Sequence, residues 1–178
     1  MNVSCRLLLM AAALVWIATG CEQPSAVVTS STNASVKFFP PLHLDHAQPK
    51  LQTLKLWVGA QEMVTELAIT QTEVATGMMF RKEMAENEGM LFIFAHPHQT
   101  SFYMRNTTLP LSCAYIDSEG IIQELHDLQP LREEPVMARS DNIQYVLETR
   151  RGWFERNKVG VGALIRTERG SFQETFFK

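Results

Sequence analysis

Cysteine is scarce in this chain of 178 residues: Cys5, Cys21 and Cys113 are the only three, and none stands in a close Cys pair of the kind that builds a zinc shell or a redox motif. No apolar run is long enough to cross a bilayer. The longest candidate, Leu7 to Ile17, has 11 residues, where a spanning helix needs ~20. An excess of positive charge is also missing, with 16 Lys and Arg against 19 Asp and Glu and a formal net charge of -3. The densest basic pair, Arg150 and Arg151, has Glu148 and Glu155 close by. Without a basic stripe to meet phosphates, nucleic acid is not the expected partner. A Gly-x-Ser-x-Gly elbow does not occur either, which removes the commonest serine-hydrolase arrangement.

The N-terminus has the anatomy of an export signal. Arg6 precedes the apolar run, and Ala18-Thr19-Gly20-Cys21 follows it. Small residues at Ala18 and Gly20 suit ordinary signal peptidase, whereas a cysteine at the first mature position suits the lipoprotein route. The second is the expectation here, with residues 1–20 as a lipoprotein signal peptide and Cys21 as the lipidated residue. Two or more acyl chains on Cys21 would anchor the protein firmly to a membrane. Glu22 is not the Asp that retains such proteins in the inner membrane, so the expected site is the outer membrane if the cell has one. Removal of the leader takes away Arg6, its one charge, and moves the formal net charge from -3 to -4. Cys113 is then the lone thiol of the mature chain, and stability must come from a core without a disulfide.

From Cys21 to about Lys50 the composition turns to Ser, Thr, Ala, Pro and Val with no steady period, which reads as a flexible tether of residues 21–50. Residues 51–178 then alternate short strand-like runs with turn signals: Leu54–Val58, Met63–Ile69, Met90–Phe94, Ser101–Arg105, Leu111–Asp117, Ile121–Leu128, Ile143–Thr149, Val161–Thr167 and Ser171–Phe177. Strands this short and this numerous favour a sandwich or barrel over a helical bundle. Asp117-Ser118-Glu119-Gly120 is the best hairpin turn. Thr70 followed by Glu73 forms a capping box and predicts a helix over about Gln71–Met79. A second short helix is expected over about Gly152–Asn157, anchored by Trp153 and Phe154.

The block Gly77–Asp117 carries GMMFR, then EGMLFIF, then FYMRNTTLPL closing on AYID. In order and content these segments resemble the bacterial and archaeal DUF192 family, over about Thr53 to Gly162. The resemblance implies a mainly β, jelly-roll-like domain, often exported and of no established activity. The expected fold is therefore a single antiparallel jelly-roll-like β-sandwich or barrel with two short helices. The chain departs from the family pattern at Ser112 and Ala163, where an acidic residue is usual, which weakens any site built on those acids.

Several groups are candidates for chemistry. His96-Pro97-His98 and His126-Asp127 contain metal-ligand types, but two histidines flanking a proline do not converge easily on one ion, and no metal or other cofactor is expected. Strand alternation puts Cys113 between Leu111 and Tyr115 on one face, as a small core residue. Methionines beside Phe80, Phe92 and Phe102 read as core filling. A binding face is the stronger candidate. If Phe102 and Met104 point inward, Tyr103 and Arg105 project outward, where a ring and a planar cation can stack on a sugar or hold a carboxylate. The alternative is that Arg105 pairs with a neighbouring carboxylate and Asn106 bonds to turn backbone. Arg81, Tyr103, Arg105, Asn106 and Asp117 make up the candidate ligand-binding set, and no catalytic set is complete.

The resulting expectation is a lipid-anchored envelope protein of non-enzymatic role, holding a small ligand, a glycan or another envelope protein. The competing class is a hydrolase or other enzyme acting on cell-envelope material, with Arg105 binding an anion and His126 or Asp127 as acid or base. That class requires Arg105, Asp127 and His96 to converge in one pocket. A structural lipoprotein would instead expose an apolar patch beside Trp57 or Phe176-Phe177.

Overall fold

A computed structural model describes residues 42–178. The expected leader, the lipidation site at Cys21 and most of the expected tether lie outside the described residues. The tether's last part, Leu44 to Lys50, lies against the domain: Leu44 N donates to Thr76 Oγ1 at 3.1 Å, and the buried Gln48 amide donates to Gly77 O at 2.9 Å.

Nine strands and three short helices follow: β1 Thr53–Val58, β2 Gln61–Ala68, α1 Gln71–Thr76, β3 Glu88–His98, β4 Ser101–Phe102, β5 Leu111–Ile116, β6 Ile122–Leu128, β7 Val136–Met137, β8 Ile143–Arg150, α2 Trp153–Arg156, β9 Ile165–Thr167 and α3 Phe172–Phe176. Seven form one sheet in the order β6-β5-β8-β3-β2-β1-β9, and β4 pairs with β7 in a separate ribbon. The sheet curls until its edges meet at one end. There Ile122 N donates to Ala163 O at 3.0 Å, Gly162 N to Ile122 O at 2.8 Å and Ile165 N to Gly120 O at 2.8 Å. Gly120 is required at this seam, because its φ is +85° and a Cβ would sit 2.8 Å from Ile165 O. The mainly β, barrel-like expectation holds. One pairing differs from an all-antiparallel sheet: β2 and β3 run parallel, since α1 and the chain up to Asn87 carry the backbone over before β3 begins.

The curl gives the central strands two buried faces. On one, Leu56, Leu91, Leu147, Trp153 and Phe172 fill the interior of the curled sheet. On the other, Met90, Phe92, Met104, Cys113, Tyr115 and Val146 form a second, methionine-rich core. Alternation along β3, β5 and β8 assigns neighbouring residues to opposite cores, as with Leu91 and Phe92, Ala114 and Tyr115, or Leu147 and Val146.

Local signals decided most of the element types. Thr70 caps α1 through a complete capping box with Glu73. The 117–120 turn forms as expected, with Asp117 Oδ1 accepting from Glu119 N at 3.0 Å and Ile121 N at 2.9 Å. Four expectations are corrected. Ser171–Phe177 is not a strand: Ser171 and Glu174 make a second capping box, and α3 sets Phe172 and Phe176 against Tyr145 at 4.5 and 6.1 Å between ring centroids. Three short helices therefore replace the expected two. The strand expected from Val161 starts only at Ile165, after Gly162 at φ +86°. The strand expected over Ser101–Arg105 ends at Phe102, because Asn106 takes φ +54° and Thr107 N closes a turn onto Met104 O. Finally, β3 runs past Phe94 and through Pro97 to His98, with its register against β8 broken between Ile93 and His98.

Candidate functional site

The expected binding residues fall into three places. Tyr103 and Arg105 do face outward while Met104 is buried. Arg105 Nε and Nη2 donate to Glu133 Oε2 at 3.0 and 2.9 Å, and its guanidinium lies 5.3 Å from the Tyr103 ring centroid. That bond to Glu133 also raises the Arg105 pKa. Asn106 stands at the same corner, where its carbonyl accepts from Phe80 N at 2.8 Å and its amide lies 4.0 Å from Met79 Sδ. Arg81 is elsewhere, its Nη2 bonded to Glu66 Oε2 at 2.9 Å and to Pro49 O at 3.1 Å. Asp117 holds the hairpin turn at the sheet seam and accepts from Gln123 Nε2 at 2.7 Å. The structure thus gathers Tyr103, Arg105 and Asn106 and leaves Arg81 and Asp117 apart.

Arg105, Asp127 and His96 do not share partners. Asp127 Oδ1 accepts from the Ser112 hydroxyl, and Ser112 Oγ accepts from Gly152 N at 2.8 Å, so the pair ties down the backbone just before α2. The cross-strand neighbour Asp127 brings a carboxylate to Ser112. His126 meets Glu124 at 2.9 Å, and His98 bonds back to His96 O at 3.1 Å. Among the described residues no three His, Cys, Asp or Glu side chains are grouped to hold a metal ion.

A residue outside the expected set draws attention instead. Glu148 is on β8, and alternation places it on the methionine-rich face beside Val146. Its cross-strand neighbours are Cys113 on β5 and Met90 on β3. Only 4% of its surface is exposed, and its Oε2 has no hydrogen-bond partner among the described residues. Burial pushes its carboxyl up to about 8, so the group is mostly protonated at neutral pH. The neighbouring Cys113 thiol is raised well above its ordinary value, first by burial and then by Glu148, which makes it an inert thiol. Tyr115 cannot satisfy Glu148, since its hydroxyl donates to Val136 O.

Glu148 lines a cleft of about 170 Å³. Its walls come from the end of α1 and the following turn (Val74, Gly77, Met78), from Phe92 on β3 and from Phe102 and Tyr103 at the end of β4. The turn can approach Phe92 only because residue 77 is glycine, with φ +47° and a would-be Cβ 3.2 Å from the Phe92 ring. Phe92 and Phe102 meet edge to face at 4.8 Å. Tyr103, at 38% exposed, links the cleft to the outward corner of Arg105. Such a site can hold a small apolar body and offer it one buried acid, either as a proton donor or, once ionised, as the partner of a cation. A wider groove of about 560 Å³ lies at Trp57, Leu164 and Arg166, with Trp57 36% exposed.

In the sequence Glu148 stands beside the basic pair Arg150-Arg151 and reads as charge balance, which keeps it out of the expected set. The sequence shows only a carboxylate that follows the apolar run Tyr145-Val146-Leu147, in a strand that also carries Gln144, Thr149 and Arg150.

Comparison with solved structures supports the fold. The chain is similar to a crystal structure described as a candidate transcription regulator from Sinorhizobium meliloti 1021, with 28% identity and a TM-score of 0.64 over 68% of this chain and 98% of that one. It is also similar to a protein of unknown function from Novosphingobium aromaticivorans DSM 12444, with 30% identity and a TM-score of 0.63 over 68% of this chain and 89% of that one. No curated protein matches. The DUF192 family, described as an uncharacterised ACR, matches over residues 55–167. With its expected segments in place on a curled β-sheet, the chain belongs to the DUF192 family.

Proposed function

We propose that this DUF192 protein is a lipid-anchored envelope module that holds a small ligand in the cleft at Glu148. The observation that carries the reading is a buried carboxyl, one oxygen of it without a partner, in the wall of a mainly apolar cleft. Leaving a buried polar atom unsatisfied costs roughly 1–3 kcal/mol, more for a charged one, and a bound ligand would recover that cost. Of the ligands open at the outset, a small molecule fits the cleft best, because an apolar cavity of ~150 Å³ accommodates a body the size of benzene. The apolar leader that ends just before Cys21 supports delivery to the envelope.

Two experiments test this. Mass spectrometry of the mature protein from a membrane fraction is expected to find an acylated Cys21 as the first residue; an unmodified start elsewhere removes the anchor. Thermal-shift screening of the full mature protein against single-ring and short-chain amines, alcohols, amides and acids is expected to give a ligand that raises the Tm of the wild type and loses its effect with Phe102→Ala. A screen without any shift removes the binding site.

The enzymatic reading keeps one observation in its favour, a carboxyl that retains its proton at neutral pH, as a general acid must. Turnover of envelope glycans or peptides that disappears with Glu148→Gln would establish it over binding alone.

A further inference from the structure

We propose that the ligand of this cleft is a small apolar amine, held with its ammonium group against the Glu148 carboxylate and its carbon body among Phe92, Phe102 and Met78. The inference rests on the reading of the cleft as a binding site and assigns the chemistry of its occupant.

The size comes first. A cleft of about 170 Å³ takes one ring or a short branched chain, and an oligosaccharide is too large for it. The polarity of the walls then selects the functional group. Of the hydroxyls along the cleft, Thr107 Oγ1 donates to Arg105 O at 3.1 Å and Thr76 Oγ1 accepts from Leu44 N at 3.1 Å, while those of Ser101 and Tyr103 belong to exposed residues. No lysine, arginine or histidine lines it. Besides these hydroxyls, the walls offer a ligand the Glu148 carboxyl and electron-rich surfaces: the rings of Phe92, Phe102 and Tyr103, and the thioethers of Met78 and Met79. A cation is favoured over aromatic faces, and an anion is not. The nearest guanidinium, Arg105, is held outside by Glu133 and stacked on Tyr103, so no resident cation already occupies the place of the ligand's charge.

The groups that face Glu148 from the packed elements are few. On β5 they are Cys113 and Tyr115, on β3 Met90, which Gln48 approaches at 4.0 Å from Sδ, and across the cleft Tyr103. Burial raises both the Cys113 and the Tyr115 pKa, so neither carries a charge at neutral pH, and Glu148 is the group that titrates there. With its carboxyl at about 8 in the empty cleft, it is about one-tenth ionised at pH 7 and about nine-tenths at pH 9. A ligand with a permanent positive charge should therefore bind about tenfold more tightly at pH 9 than at pH 7. Its binding at pH 7 should release close to one proton. A neutral ligand that accepts a hydrogen bond from the protonated acid would show the opposite trend.

The test is calorimetric titration of the full mature protein with tetramethylammonium at pH 7 and pH 9, and with the pair benzylamine and benzyl alcohol at pH 7 in two buffers of different ionisation enthalpy. The expected result is tighter tetramethylammonium binding at pH 9, benzylamine preferred over benzyl alcohol, and proton release on binding the amine. Glu148→Gln, checked for folding by circular dichroism, should lose benzylamine binding while keeping whatever weak binding benzyl alcohol shows. If benzyl alcohol binds as well as benzylamine, or binding weakens from pH 7 to pH 9, the amine assignment is overturned and the cleft remains a site for a neutral ligand. If tetramethylammonium binds at neither pH and neither benzyl compound binds at pH 7, the amine assignment is overturned, and the wider screen of single-ring and short-chain compounds then decides the fate of the cleft itself.

Discussion

Replacing Glu148 with glutamine should flatten the pH dependence of stability between about pH 5 and pH 8. A carboxyl whose folded pKa is raised from 4.5 to about 8 binds more protons in the folded state than in the unfolded state throughout that window. Stability contributed by the protonated form is therefore complete below pH 4.5 and declines as the pH rises toward 8. One pKa unit corresponds to 1.36 kcal/mol, so the wild type should lose roughly 3 kcal/mol between pH 5 and pH 7.5 from this group alone. That is a large share of the ~5–15 kcal/mol that holds a typical domain. Carboxyls with depressed values, such as Glu73 and Glu88, act in the other direction: they add stability as the pH rises through their unfolded value near 4.5, a process largely finished by pH 5.5. Urea unfolding of wild type and Glu148→Gln at pH 5 and pH 7.5 separates the two effects, because the other carboxyls are common to both proteins. The difference in unfolding free energy between variant and wild type should grow by about 3 kcal/mol in the variant's favour at the higher pH. A difference that stays constant within about 0.5 kcal/mol, the usual additivity error, would refute the assignment of Glu148 as a buried, uncompensated acid.

Gly77→Ala should lower stability by about 1–2 kcal/mol, since φ is +47° and the new methyl would press on Phe92 at 3.2 Å; chemical denaturation measures the loss, and ligand binding at the cleft should weaken with it. Ser171→Ala should cost about 1 kcal/mol by removing the acceptor for Glu174 N at 3.2 Å, with a fall in Tm as the readout. Cys113 should resist iodoacetamide at pH 8 in the native protein and react once urea unfolds it, because the thiol is fully buried with its pKa raised; mass spectrometry of the labelled protein checks this.

Much of the fold was legible because local chemistry and period agreed. The Thr70 and Glu73 box, the Asp117–Gly120 turn and the alternation of Leu111, Cys113 and Tyr115 each point to one conformation, and the folded chain adopts it. Ser171 and Glu174 make the same capping box, but the aromatic residues of Ser171–Phe177 give that segment the look of a strand in the sequence. The parallel β2 and β3 pair was illegible for a different reason: no residue marks strand direction, and the crossover through α1 sets it. The extension of β3 through Pro97 goes with a register break against β8, where Gln144 bonds to Phe94 O and Ala95 O in place of a regular ladder.

The site was less legible than the fold. Tyr103 and Arg105 face outward as alternation allows, but whether Arg105 greets a ligand or a carboxylate depends on Glu133, brought close by the β4 and β7 ribbon. Glu148 stands out only when it is known that Cys113, Met90 and the α1 turn surround it and that none of them supplies a donor to Oε2. That is a property of three strands and a turn meeting in space, which a period of two cannot express.

The most direct test of the cleft's role is a carbon-13 NMR titration of the Glu148 carboxyl in the full mature protein, with and without saturating tetramethylammonium. The ligand-free midpoint should lie near 8 and move down toward the ordinary carboxylate range when the cation is bound. A ligand-free midpoint near 4.5, or one near 8 that tetramethylammonium fails to move, would contradict it.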